Sequence, residues 1–153
     1  MRERKVVTEQ LVVDANVVAK LYLKDEQYAD RTDLLFSRFK RGEIHLAAPR
    51  LITYEVPAAI KRGAVRAKAD EETWRAAIQS FELLESKGLL IIDDSGAKYE
   101  AMRLAINYRC FYFDALYLLL AEDLGCPFIT ADGKLLRALQ GRVPYLISLA
   151  SYK

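Results

Sequence analysis

The sequence predicts an α/β fold, a three-layer sandwich with a central five-stranded parallel sheet flanked by helices. Three observations lead there. Five short apolar runs, at residues 10–14, 43–47, 89–92, 127–130 and 143–148, alternate with stretches of helical periodicity, the pattern of a parallel sheet covered on both faces. Acids stand at or just after the ends of several runs, where open α/β sheets build their sites. The chain has 153 residues, 52% hydrophobic and 29% charged, enough for one domain, 1–153, with a sizeable core.

Each element has a local reason. QLVVD at 10–14 is the first strand, and Asn16 is placed to cap the helix NVVAKLYLKD that follows. A helix over about 27–41 carries Ala29, Leu34, Leu35 and Phe39 at helical spacing and stops at Gly42. EIHLA at 43–47 is the second strand. Pro49 then begins a helix through Lys61, with Gly63 as its stop and a kink or split expected at Pro57. Asp70 caps the next helix, whose Trp74, Ala77, Ile78, Phe81 and Leu84 form one stripe, and Gly88 ends it. LLII at 89–92 is the third strand, and Asp94 or Ser95 caps a helix to about Tyr108. The apolar run from Tyr112 to Leu124 is a helix that Gly125 ends. The fourth strand at 127–130, a helix over 132–139 and a last strand at 143–148 complete the chain.

Composition narrows the chemistry. No apolar run approaches the roughly 18–20 residues of a membrane span. The start, MRERKVVTEQLVVD, shows no cleavage site, so the expected location is cytoplasmic. Cys110 and Cys126 bracket a helix, so their separation, on the order of 20 Å, is beyond disulfide reach. His45 is the only histidine. That excludes a multi-histidine metal centre and leaves carboxylates, hence hard cations, as the metal chemistry available. Two Asn and four Gln against 23 Lys and Arg is a bias found in thermophile proteins. Net charge is +2, but residues 31–68 carry a local +6 and residues 69–100 a local −5. A basic segment beside an acidic site would steer a phosphate backbone, with Arg38, Lys40, Arg41, Lys61 and Arg62 as its candidates.

The acids are the candidate chemistry. Asp14 follows the first strand, Asp114 opens the 112–124 helix, and Asp132 lies just past the fourth strand. Glu55 is an isolated acid within the apolar LITYEVPAAI. Each also has a purely structural reading. Asp14 reads as a cap or turn residue, Asp132-Gly133 as a turn, and Asp114 as a carboxylate favoured by the helix dipole. Asp93 and Asp94 read as caps, and Tyr54, Phe111, Tyr112 and Tyr117 as core or interface residues rather than base-stacking ones.

Taken together, VVDANVVAKLYL at 12–23, YEVPAAI at 54–60, FDALYLLLAEDLG at 113–125 and ITADGKLL at 129–136 resemble the PIN-domain nucleases. The resemblance is greatest to the single-domain toxin ribonucleases of the VapC type, and it covers almost the whole chain. It implies an acidic pocket of Asp14, Glu55, Asp114 and Asp132 that holds one or two Mg²⁺ or Mn²⁺ ions, with Asn16 and Thr130 orienting the carboxylates. Ala58 stands where family members often carry Asn. The implied fold places the first and fourth strands side by side. The implied activity is metal-dependent endoribonuclease cleavage: metal-activated water hydrolyses RNA phosphodiester bonds and leaves a 5′-phosphate and a 3′-hydroxyl. The implied partners are RNA, a small antitoxin protein and a second copy of the chain, with no membrane.

Three other readings remain at this level: a constitutive RNA-processing nuclease, a catalytically silent nucleic-acid- or partner-binding module, and a phosphotransferase of the haloacid dehalogenase type. The first often carries added zinc modules, which this chain lacks. The intact set of four acids weighs against the second. Asn16, where the third wants Asp, weighs against it.

Overall fold

The computed structural model of the chain describes residues 8–23, 27–139 and 141–153. Strands β1 (Glu9–Val13), β2 (Ile44–Pro49), β3 (Leu90–Ile92), β4 (Phe128–Thr130) and β5 (Leu146–Ser148) form one sheet. Its order is β3-β2-β1-β4-β5 and every pairing is parallel. The helices that flank it are α1 (Ala15–Ala19), α2 (Ala29–Lys40), α3 (Ile52–Ala67), α4 (Glu71–Lys87), α5 (Lys98–Tyr108), α6 (Tyr112–Leu124) and α7 (Gly133–Leu139). The α/β class is as the sequence predicts, and the adjacency of the first and fourth strands is as the family resemblance implies.

Burial follows from strand position. β1 lies in the middle, and its Leu11, Val12 and Val13 are wholly buried, as are all three residues of β4. Such strands read as continuous apolar runs because helices cover both faces. The edge strands β3 and β5 are less buried. α6 is the most apolar helix, burying Ala115, Leu116, Tyr117, Leu118, Leu120 and Ala121. The Tyr117 ring stacks on Phe128 of β4 at 5.3 Å between centroids, which fixes α6 against the sheet. Among the described residues no single helix is long and apolar enough to cross a membrane.

Strand order also locates a crevice. The chain leaves β1 for β2 and β3 on one side, then crosses back to β4 and β5 on the other. The direction of winding therefore reverses between β1 and β4, and a crevice opens at their carboxyl ends.

Several elements differ from expectation. The helix after β1 ends at Ala19 and continues as turns to Leu23; residues 24 and 25 of the expected helix lie outside the described residues. Asn16 is inside this helix, not at its cap, a position that Asp14 occupies. Pro49 closes β2 instead of opening a helix. α3 runs unbroken through both Pro57 and Gly63 to Ala67 and ends at Lys68, whose φ of 50° is left-handed. Gly63 is in the helix because Leu23 packs against it: a Cβ there would stand 2.2 Å from Leu23 Cδ2. Asp70 caps α4 as expected, accepting from the Thr73 N–H at 2.9 Å. The N-cap position of α5 is Ala97, not Asp94 or Ser95.

Candidate active site

Four elements deliver one carboxylate each to the crevice. Asp14 is the first residue after β1, and its backbone N–H donates to Ile129 O of β4 at 3.0 Å. Glu55 lies in the first turn of α3. Asp114 lies in the first turn of α6, where the helix dipole favours a negative charge. Asp132 precedes α7 and caps it, with Oδ1 accepting from the N–H groups of Lys134 and Leu135 at 2.9 and 3.2 Å. All four line one cavity of about 630 Å³, together with Asn16, Leu51, Tyr54, Ala58, Arg62 and Phe113.

A buried network holds Asp14 in place. Thr130 is wholly buried at the end of β4. Its Oγ1 donates to Asp14 Oδ2 at 2.7 Å, and accepts from Asp132 N at 3.0 Å and from Asn16 Nδ2 at 3.4 Å. One hydroxyl thereby uses its donor and both lone pairs. Asn16 Oδ1 accepts from Ala131 N at 3.1 Å, so this side chain ties α1 to the loop after β4. That use explains why it caps nothing.

Two further contacts position Glu55, and the sequence reading found neither. The Tyr117 hydroxyl donates to Glu55 Oε1 at 2.8 Å. The Asp94 carboxylate accepts from Leu51 N at 2.9 Å, satisfying a free N–H at the start of α3 across 43 residues of sequence. No local pattern signals either pairing; the only hint was a tyrosine hydroxyl within a buried helix, which needs a partner.

The electrostatics are those of a crowded acidic site. Burial raises the Asp14 pKa to about 7; the Thr130 hydrogen bond opposes this, and Asp114 and Glu55 add to it. Burial, then repulsion from Asp132 and Glu55, raises Asp114 to about 6. Glu55 is also raised by burial, against the pull of Tyr117 and Arg62. Among the described residues, Arg62 is the one basic residue lining this cavity. Arg38 and Arg41 are elsewhere: both pair with Glu43, before β2, and Arg38 also with Glu9 at the start of β1. They lie at the opposite, amino-terminal edge of the sheet. Lys61 lines a separate groove between α3 and α4.

The donor set suits a hard divalent cation: the lining offers carboxylate oxygens and, among the described residues, no histidine or thiolate. Among the described residues no three His, Cys, Asp or Glu side chains stand ready to ligate one ion together. The pocket is thus an open carboxylate bowl, which fits Mg²⁺, an ion that keeps several waters and takes one or two carboxylates directly.

Comparison with known proteins gives the family. The PIN domain model matches residues 11–139. The chain belongs to the PIN domain family. PIN domains are generally nucleases and typically use divalent metal ions. No curated protein sequence matches this PIN domain. Its structure is similar to that of PAE2754 from Pyrobaculum aerophilum, at 23% identity and a TM-score of 0.65, over 94% of this chain and 92% of that one. It is also similar to a chain of a toxin–antitoxin complex from Klebsiella pneumoniae, at 18% identity and a TM-score of 0.59, over 91% and 97%. At such identities the likeness is one of fold.

Proposed function

We propose that this PIN domain, taken as a single unit over 1–153, is a metal-dependent endoribonuclease, the toxin component of a toxin–antitoxin pair. The observation that carries the reading is the convergence of Asp14, Glu55, Asp114 and Asp132 on one cavity at the carboxyl ends of β1 and β4. Carboxylates held this close are costly unless a cation neutralises them. A bound Mg²⁺ or Mn²⁺ supplies a water acidified enough to attack phosphorus, and charge to offset the phosphate and leaving oxygen. Asp14 and Asp114 would be its first ligands, because burial and their neighbours perturb these two carboxylates most. Glu55 and Asp132 complete the acidic wall. Thr130 and Tyr117 hold the Asp14 and Glu55 carboxylates in their rotamers, and Asn16 braces Thr130, which keeps the ligands pre-oriented. Arg62 holds a phosphate next to the cut.

Two surfaces suit the partners that the toxin reading requires. The groove of about 490 Å³ between α3 and α4 is mainly apolar, with Ile60, Val65, Trp74 and Ile78 between Lys61 and Lys68. It fits an antitoxin helix with an apolar face and acidic flanks. On α5, Tyr99, Met102 and Ile106 leave an exposed stripe suited to a second copy of the chain.

The test is cleavage of a mixed-sequence single-stranded RNA, with the same sequence as DNA beside it, followed by analysis of the product ends. The reading expects RNA cleavage leaving 5′-phosphate and 3′-hydroxyl ends. A 2′,3′-cyclic phosphate would show attack by the ribose hydroxyl and sink the mechanism. Cleavage of DNA alone would sink the ribonuclease assignment.

A further inference from the structure

Two exposed aromatic rings stand at the mouth of the carboxylate cavity. Tyr54 is 71% exposed and Phe113 55%, and both line the same cavity as the four acids. Each immediately precedes a carboxylate: Tyr54-Glu55 on α3, Phe113-Asp114 on α6. Neighbouring helical residues point about 100° apart, given 3.6 residues per turn. With Glu55 and Asp114 forming the wall, the residue before each projects at the rim. An exposed aromatic alone is ordinary. Two of them, on two helices, framing one polar cavity, are not explained by packing.

The charge of the site gives them a task. Four acids face Arg62, the one basic residue in the lining among the described residues, so these side chains alone do not attract a polyanion. Beyond the Arg62 contact and the charge a bound cation would add, affinity for a nucleic-acid strand needs contacts that do not depend on charge. Stacking of bases on aromatic faces is such a contact, and it tolerates any sequence. It also requires bases free of a duplex, because paired bases already stack on their neighbours.

We propose that Tyr54 and Phe113 form a two-sided stacking clamp that grips unpaired bases on either side of the scissile phosphate, and that this clamp makes the site selective for single strands. The inference rests on the nuclease reading above and adds its substrate-selecting residues. Arg62, two turns beyond Glu55 on α3, holds the phosphate between the clamped bases. Their stacking sets the strand so that this phosphate meets the carboxylates.

Binding and cleavage separate the clamp from the nuclease reading. Asp114→Asn protein with Mg²⁺ is titrated with a short single-stranded RNA carrying 2-aminopurine, whose fluorescence is quenched on stacking. Tyr54→Leu and Phe113→Leu are added singly to this background, each expected to weaken binding roughly 5- to 100-fold and to relieve the quenching. Tyr54→Phe keeps the ring and retains binding. Replacing one flanking base by an abasic site abolishes the effect of one of the two leucine variants. A blunt duplex binds the Asp114→Asn parent at least as weakly as either leucine variant binds the single strand. If the parent binds and wild type cleaves, but the leucine variants bind as tightly with quenching intact, the clamp is wrong and the nuclease reading stands. If the folded parent binds no RNA and wild type cuts none, both fall. Loss of binding without change in circular dichroism supports the clamp; loss with unfolding is resolved by the abasic substrate, which probes the same contact on unaltered protein.

Discussion

Replacing Asp14 by Asn should stabilise the metal-free protein at neutral pH while removing a proposed metal ligand. Burial raises the Asp14 pKa from 3.8 to about 7. The folded state therefore keeps a proton that the unfolded chain has released, and the metal-free protein loses stability as pH climbs from about 4 to about 7. A rise of about three pH units corresponds to about 4 kcal/mol by pH 8. Asn is isosteric, bears no charge, and can still accept the Thr130 hydroxyl that Asp14 accepts at 2.7 Å. Asp14→Asn should then melt on the order of 10 °C above wild type at pH 8 in EDTA. The gap should narrow to a small remainder near pH 4, where Asp14 is protonated in the folded state and close to half protonated in the unfolded chain. Saturating Mg²⁺ should raise the melting point of wild type and leave the variant almost unchanged. Calorimetry across pH 4–8 reads all of this. A variant that melts below wild type in EDTA at pH 8, or a gap that does not depend on pH, would refute the reasoning.

Further outcomes follow from the same contacts. Because Asp14 titrates at about 7 and Asp114 at about 6, metal binding displaces protons, and Mn²⁺ affinity by calorimetric titration should fall on the order of 100-fold from pH 7.5 to pH 5.5; a flat profile would exclude these two as ligands. Tyr117→Phe removes the hydrogen bond to Glu55 but keeps the stack on Phe128, so Mn²⁺ affinity should drop about 3- to 10-fold with the melting point within a few degrees. Gly63→Ala puts a Cβ 2.2 Å from Leu23 Cδ2, so it should destabilise by about 1 kcal/mol in chemical denaturation, despite alanine's better helix propensity; a stabilised variant would show that Leu23 yields freely. Asp94→Ala leaves Leu51 N without its acceptor and should cost about 1 kcal/mol.

The sheet was legible because each buried strand is a short apolar run, and the helices because apolar residues recur at their period. The four carboxylates stood out because an acid in or beside such a run needs a reason. Long-range partners were not legible. Asn16 looks like a cap, but its amide is spent on Ala131 and Thr130, over a hundred residues away. Gly63 looks like a stop, but Leu23 occupies the space of its missing side chain, so tertiary packing overrides propensity. Pro57 removes one helical N–H, a loss that α3 absorbs without breaking. The basic run divides: Arg62 faces the cavity while Glu43 draws Arg38 and Arg41 to the far edge of the sheet. Tyr54 reads as core or interface in sequence, and only its exposure at the cavity mouth suggests contact with a ligand.

The central claim is that four carboxylates from four elements make one metal site. Anomalous diffraction from crystals grown with Mn²⁺ tests it most directly. The account predicts a peak inside the cavity, with oxygens of Asp14 and Asp114 about 2.0–2.3 Å away, weakened or lost in Asp14→Asn. A well-ordered cavity without a peak at saturating Mn²⁺, or the only strong peak at surface acids such as Glu71 and Glu72 on α4, would contradict it.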